Sequence, residues 1–236
     1  MSRLLLGLLA IFICLYCVSC TNRTNVSTLQ SGDLIFVSVP LGFDFGISSD
    51  SIGRLTSDMS DESQLQCIHV AIVDVAADTV FVIDATAKRG VARYPLDTFL
   101  YDFTLYGGHS PRYDVMRMGT PEDGARYVSN AKTYIGRPYD FDFQLDNEAQ
   151  YCSELVRNAY TLDDGTPRFP LTRVDFSEGR GVLSDYWTHL FQYFGCQTPQ
   201  GEGILPYDLK TCNLLTKVIT DVETTDSLFN TVSRGR

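Results

Sequence analysis

The chain has 236 residues, 44% hydrophobic and 12% aromatic, enough for one sizeable core and too apolar for a disordered chain. Its formal charge is −10 and no run of lysine and arginine occurs. That excludes the basic face with which a nucleic-acid binder neutralises phosphates.

Arg3 precedes an apolar run from Leu4 to Val18, and Ser19-Cys20 follows. A short positive start, an apolar stretch and a small residue before a cut read as a signal peptide over residues 1–19. The run is short for a membrane span. Cys20 stands where a bacterial lipoprotein signal is cleaved and its cysteine lipidated, although Cys17 occupies the place usually held by Leu. A conventional secretory signal is the alternative. Residues 20–30 read as a polar tether, and the expectation is an exported domain, lipid-anchored to a membrane of the cell envelope. Among the later cysteines, Cys196 and Cys212 are a possible disulfide pair, which spacing alone does not decide. No CxxC or Cys/His pairing offers a zinc site, and no metal or cofactor is expected.

Leu34–Val39 reads as a strand closed by Pro40. Gly42–Gln66 reads as a long loop of the kind that often carries function. Ile68–Val75 and Thr79–Thr86 are two strands with a tight connection, Gly90–Tyr94 is a short strand, and Leu96–Tyr101 makes one or two helical turns. Tyr113–Met118 alternates as a strand. Thr120-Pro121-Glu122-Asp123 is a helix start, with a capping hydroxyl, proline at the first position and acids in the first turn. Ala125, Val128, Ala131 and Ile135 continue that helix on one face, and Gly136 ends it. After an aromatic, acidic loop a helix begins at Cys152. Ser184–Tyr193 is a further helix, Thr198–Pro206 a Pro/Gly-rich loop, and Asp208–Ile219 a possible last helix. This order predicts an α+β domain over residues 31–220 with a mostly antiparallel sheet, followed by a tail over 221–236.

Tyr151-Cys152-Ser153-Glu154-Leu155-Val156 is the segment richest in chemistry. Leu155, Val156, Ala159 and Tyr160 recur at helical spacing, which places Cys152 at a helix start. The unpaired N–H groups there carry partial positive charge and favour a thiolate, the nucleophilic form of a cysteine. A buried structural cysteine is the other reading. If the hairpin closes symmetrically about Ala76-Ala77, Val75 faces Asp78 and His69 faces Asp84. A carboxylate beside an imidazole fixes its tautomer and stabilises imidazolium. That face also carries Ala71 and Val73, on which the Cys152 helix is expected to pack, and by alternation it carries Cys67. Nucleophile, base and orienting acid would then meet. A core histidine satisfied by Asp84 is the alternative. His109 and His189 read as surface or packing residues.

His69-Val70-Ala71-Ile72-Val73, Val82-Ile83-Asp84-Ala85, Gly136-Arg137-Pro138-Tyr139-Asp140-Phe141 and Tyr151-Cys152-Ser153-Glu154-Leu155-Val156 together resemble the circularly permuted papain-like NlpC/P60 superfamily. More narrowly they resemble its YiiX/YaeF/YebB-type amidase-like branch, over about residues 31–219. The order His, acid, Cys is what indicates the permutation. The resemblance implies a permuted papain-like fold, an antiparallel sheet or barrel packed against the Cys-bearing helix. It implies Cys152 as nucleophile, His69 as general base and Asp84 in the histidine-orienting position, more often Glu in this branch. Tyr139 and Tyr151 are the expected substrate-binding side chains, with Tyr139 equally readable as core packing. The backbone N–H of Cys152 is the natural oxyanion donor. The implied activity is a thiol hydrolase, amidase- or peptidase-like or acyltransferase-like, acting on an amide or ester of a cell-wall peptide or an acyl lipid. A lipid- or peptide-binding envelope lipoprotein without turnover is the alternative.

Overall fold

A computed structural model describes residues 29–43, 59, 61–105, 110–145 and 147–219. The expected signal, Cys20, His109, the C-terminal tail and much of the Gly42–Gln66 segment lie outside the described residues. The strands are β1 (Asp33–Pro40), β2 (Leu65–Ala76), β3 (Thr79–Thr86), β4 (Gly90–Pro95), β5 (Arg112–Arg117) and β8 (Thr216–Ile219), with β6 (Thr172–Arg173) and β7 (Glu202–Gly203) forming a separate small ribbon. The helices are α1 (Leu96–Asp102), α2 (Pro121–Lys132), α3 (Cys152–Ala159), α4 (Asp185–Phe194) and α5 (Pro206–Lys210).

The main sheet runs β4-β3-β2-β1-β5-β8 with every neighbouring pair antiparallel. Among the described residues it is an open sheet with β4 and β8 at its edges and does not close into a barrel. β1 is central and entirely buried. Its Asp33 carboxylate sits inside the fold because Arg117 reaches it from β5, Nε to Oδ1 at 2.6 Å.

Alternation along the strands separates two cores. One face carries Ile35, Val37, Ala71, Val73 and Val82 and packs under α1 and the aromatic residues of α4. The other carries Leu34, Phe36, Val70, Ile72, Ile83 and Ala85 and packs under α2 and α3. Helix α2 starts as the sequence predicts. Thr120 Oγ1 accepts from Asp123 N–H at 3.3 Å, and Asp123 Oδ2 accepts from Thr120 N–H at 3.1 Å. Its buried stripe is Gly124, Tyr127, Val128 and Ala131, whereas Ala125 and Ile135 are exposed. Gly124 takes the inward place expected of Ala125, so close to the β1 approach that a Cβ there would stand 2.0 Å from the Ser31 carbonyl oxygen, and Ile135 lies beyond the helix, which ends at Lys132 and not at Gly136.

Three expectations are corrected here. The β2–β3 ladder pairs Ala76 with Thr79 and Val75 with Val80, so the turn residues are Ala77 and Asp78, and the register is two residues away from the one expected. Ala77 takes φ 51° to close that turn. The Cys152 helix packs on the Val70–Ile72 face rather than on the Ala71–Val73 face. The segment read as a last helix splits into the short α5 and the strand β8. Thr216, Val218 and Ile219 are β-branched, and the edge of β5 offers them a partner.

Candidate active site

His69 and Asp84 remain on one face because a slip of two residues preserves side-chain parity. The ladder between β2 and β3 stops at Ile72–Ile83, short of both residues. Their side chains bridge the interval: His69 Nε2 lies 2.8 Å from Asp84 Oδ2. A β-bulge sets the aim of the imidazole. Val37 pairs with His69 and Ser38 with Cys67, which leaves Ile68 as the extra residue. With Nε2 engaged by Asp84, Nδ1 is the ring nitrogen left for Cys152, whose sulfur lies close enough to the imidazole to raise its pKa. Phe103 and Phe99 flank the imidazole at centroid distances of 4.7 and 6.1 Å.

Cys152 is the first residue of α3. The helix start is organised by Glu154, whose Oε2 accepts from Tyr151 N–H at 3.3 Å. The preceding Gly-Arg-Pro-Tyr-Asp segment is bonded to the residue before that cap. Asp140 N–H donates to Gln150 O at 3.1 Å, and Gln150 N–H donates to Pro138 O at 2.9 Å. This places Tyr139 beside Cys152.

His69, Cys152 and Asp84 are 7%, 4% and 1% exposed. Burial by itself would drive the imidazole towards neutrality. The Cys152 sulfur and the Asp84 carboxylate outweigh it, and the His69 pKa is pushed up to about 10. The imidazolium form is therefore favoured between two groups that carry or develop negative charge.

The site opens into a cleft of about 380 Å³. Its walls are mostly apolar and include Ile68, Phe103, Tyr139, Phe143, Tyr186 and Trp187. Lys88, Arg89 and Asp102 also line it, and there Lys88 Nζ meets Asp102 Oδ1 at 2.9 Å and Arg89 also pairs with Asp102. Burial, with Cys152 close by, pushes the Tyr139 phenol well up, so it stays protonated as a wall residue.

A family model described as a permuted papain-like amidase enzyme, YaeF/YiiX, C92 family, matches residues 28–219. The chain belongs to this family. Within the permuted papain-like amidases, the uncharacterized protein YiiX of Escherichia coli K12 is 38% identical over 56 residues. That match spans 22% of this chain and 28% of YiiX, so it covers less than a third of the relative's length. The crystal structure of yiiX from Escherichia coli O157:H7, described as a metalloprotein, superposes with a TM-score of 0.54. It is 24% identical and the superposition covers 82% of this chain and 98% of that one, a likeness of fold.

Two residues depart from expectation on this amidase scaffold. Tyr151 is fully buried, and its hydroxyl accepts from Ile204 N–H at 3.3 Å. It belongs to the core beneath Phe143, centroids 5.0 Å apart, and is not a cleft wall. Cys67 faces away from His69, because the bulge at Ile68 reverses the alternation and turns Cys67 into the α3 core. Burial pushes its thiol up, and Glu178 and Asp114 add to the effect. Cys196 and Cys212 are both free and partly exposed.

The cleft also uses residues that local sequence reasoning passes over. Tyr186 and Trp187 read as the apolar stripe of an amphipathic helix, and Phe103 as loop. Tyr94 lies at the end of β4 and donates its hydroxyl to Asp84 Oδ2 at 2.9 Å. Its only signal in the sequence is alternation along a short strand.

Proposed function

We propose that the protein is a cysteine hydrolase that cleaves an amide or ester through an acyl-enzyme on Cys152. The observation that carries this reading is His69 held between Asp84 and Cys152 at the floor of an apolar cleft. Membership in the permuted papain-like amidases supports cysteine-type amide chemistry.

The Cys152 sulfur attacks the acyl carbon while its proton resides on His69 Nδ1. The carbonyl electron pair moves to oxygen, which the Cys152 backbone N–H at the start of α3 faces as donor. Collapse expels the amine or alkoxide, and His69 returns the proton to it. Water then gives a proton to His69 and attacks the thioester carbon. The second collapse releases the carboxylic acid and restores the thiol. Asp84 holds the imidazole by Nε2 and favours the imidazolium formed in each half-reaction. Among the described residues no group of three or more His, Cys, Asp or Glu is placed to hold a metal ion.

The aromatic walls favour a substrate whose acyl portion is apolar, an acyl lipid before a polar cell-wall peptide. The signal-like segment up to Ser19 and the following Cys20 support an exported, lipid-anchored enzyme that meets such a substrate at a membrane. Among the described residues no helix is long and apolar enough to cross one.

The test is alkylation by iodoacetamide at pH 7, resolved by peptide mass spectrometry. Cys152 in His69→Ala should react at least about tenfold more slowly than in the unaltered protein. Equal rates would sink the reading. Cys152→Ala should retain the fold by circular dichroism and lose at least about 10³-fold in turnover of N-acyl amides or acyl esters.

A further inference from the structure

Asp84 is almost fully buried, and its carboxylate is held through one oxygen. Oδ2 receives His69 Nε2 at 2.8 Å and the Tyr94 hydroxyl at 2.9 Å. Among the described residues, nothing hydrogen-bonds Oδ1. A carboxylate gripped at one oxygen by a single donor can turn about its Cβ–Cγ bond, because that sp²–sp³ torsion is broad. The backbone does not supply the missing constraint between His69 and Asp84, since the β2–β3 ladder ends at Ile72–Ile83.

The β3–β4 ladder does not end there. It runs unbroken from Phe81–Pro95 to Thr86–Gly90, with Val82 opposite Tyr94 and Ala92 opposite Asp84. Tyr94 and Asp84 are thus diagonal neighbours on one face of one paired unit, within reach for a long aromatic side chain. The ring is itself fixed. The Arg89 guanidinium stacks over it at 4.4 Å from the centroid and is anchored in turn by Asp102. Burial and the Asp84 charge push the phenol's pKa upward, so the hydroxyl stays a donor.

We propose that Tyr94 is a positioning residue of this site: its hydroxyl locks the Asp84 carboxylate in the rotation that presents Oδ2 to His69. The inference rests on the cysteine-hydrolase reading and adds a fourth side chain to it. The second donor arrives from β4, on the other side of β3 from His69, and meets the same carboxylate oxygen that the histidine uses.

The experiment is a substrate-free titration of His69 by NMR on histidine-labelled protein, comparing the unaltered chain with Tyr94→Phe, Asp84→Asn and the double variant. Tyr94→Phe keeps the ring, its packing and the Arg89 stack. It should lower the His69 titration by about one pH unit, Asp84→Asn should lower it at least as far, and the double variant should match Asp84→Asn alone. In turnover, Tyr94→Phe should reduce kcat about tenfold with KM nearly unchanged. An Asp84→Asn that lowers the titration beside a Tyr94→Phe that does not would overturn the proposal and leave the hydrolase reading standing. An Asp84→Asn that leaves the titration unmoved would overturn both. Equal thermal midpoints for the unaltered chain and Tyr94→Phe establish that the comparison is between folded proteins.

Discussion

Among the described residues four aspartates lie buried on this sheet, and two of them, Asp84 on β3 and Asp114 on β5, each about 1% exposed, have surroundings that differ in kind. Asp114 is met by Lys210 Nζ at 2.6 Å, Lys217 Nζ at 3.1 Å and Arg112 Nε at 3.3 Å. Burial alone would raise its pKa, yet these permanent cations, Lys210 first, hold it down at about 2. Asp84 is met by a histidine and a phenol, neither of them a permanent cation. One acid is neutralised by groups that stay charged at any working pH, and its role ends in tying α5 and β8 to the sheet. The other directs its charge onto a group whose protonation changes. A buried acid serves structure when its partners only hold their charge, and is available to chemistry when its partner is an imidazole that can pass a proton to and from a substrate.

The largest effect expected from breaking this contrast is on turnover. Asp84→Asn keeps shape and removes charge, and should lower kcat roughly 10³-fold with an intact fold. Asp114→Asn should do the opposite. It leaves Lys210, Arg112 and Lys217 without their shared anion, and should cost roughly 3 kcal/mol in urea unfolding while the folded fraction keeps its turnover. A stability loss for Asp84→Asn as large as that for Asp114→Asn, with turnover intact, would erase the distinction.

The pH dependence of stability sharpens it further. Asp114 has a folded-state pKa near 2, below its unfolded value of about 3.9, so its stabilisation is complete above the latter and is lost as pH falls from about 4 to about 2. The gap between the unaltered chain and Asp114→Asn should close over that window. His69 runs the other way. Its pKa of about 10 stands above the unfolded value of about 6.5, so its contribution is complete below about 6.5 and is lost as pH rises through about 10. Asp84→Asn should flatten that alkaline loss. The smallest effect belongs to Cys67→Ala, which removes a thiol from the α3 core and should cost about 1 kcal/mol with turnover unchanged. In the unaltered protein Cys67 should resist iodoacetamide at pH 7.

Much of this site was legible from short-range pattern. The strand from Thr79 to Thr86, the α2 start at Thr120-Pro121, and Cys152 at the head of α3 follow from propensity, capping and helical spacing, which act over a few residues. Alternation puts His69 and Asp84 on one face in either register, because a two-residue slip returns every side chain to its own face. Permuted papain-like membership was carried by the order of His69, Asp84 and Cys152 along the chain.

Tertiary structure alone decided the rest. The bulge at Ile68, which turns His69 towards Cys152 and Cys67 away from it, arises from the pairing of β2 with β1, residues distant in sequence. The face under α3 depends on how α2 and α3 share the sheet. Tyr94 reaches Asp84 only because β4 pairs with β3 beyond the point where β2 leaves it, and Tyr151 belongs to the core only because Ile204 supplies its hydrogen-bond partner. Local sequence sets which way a side chain points from its own strand or helix. Which partner it meets depends on contacts between distant segments, whose entropy cost is recovered only when the whole core closes.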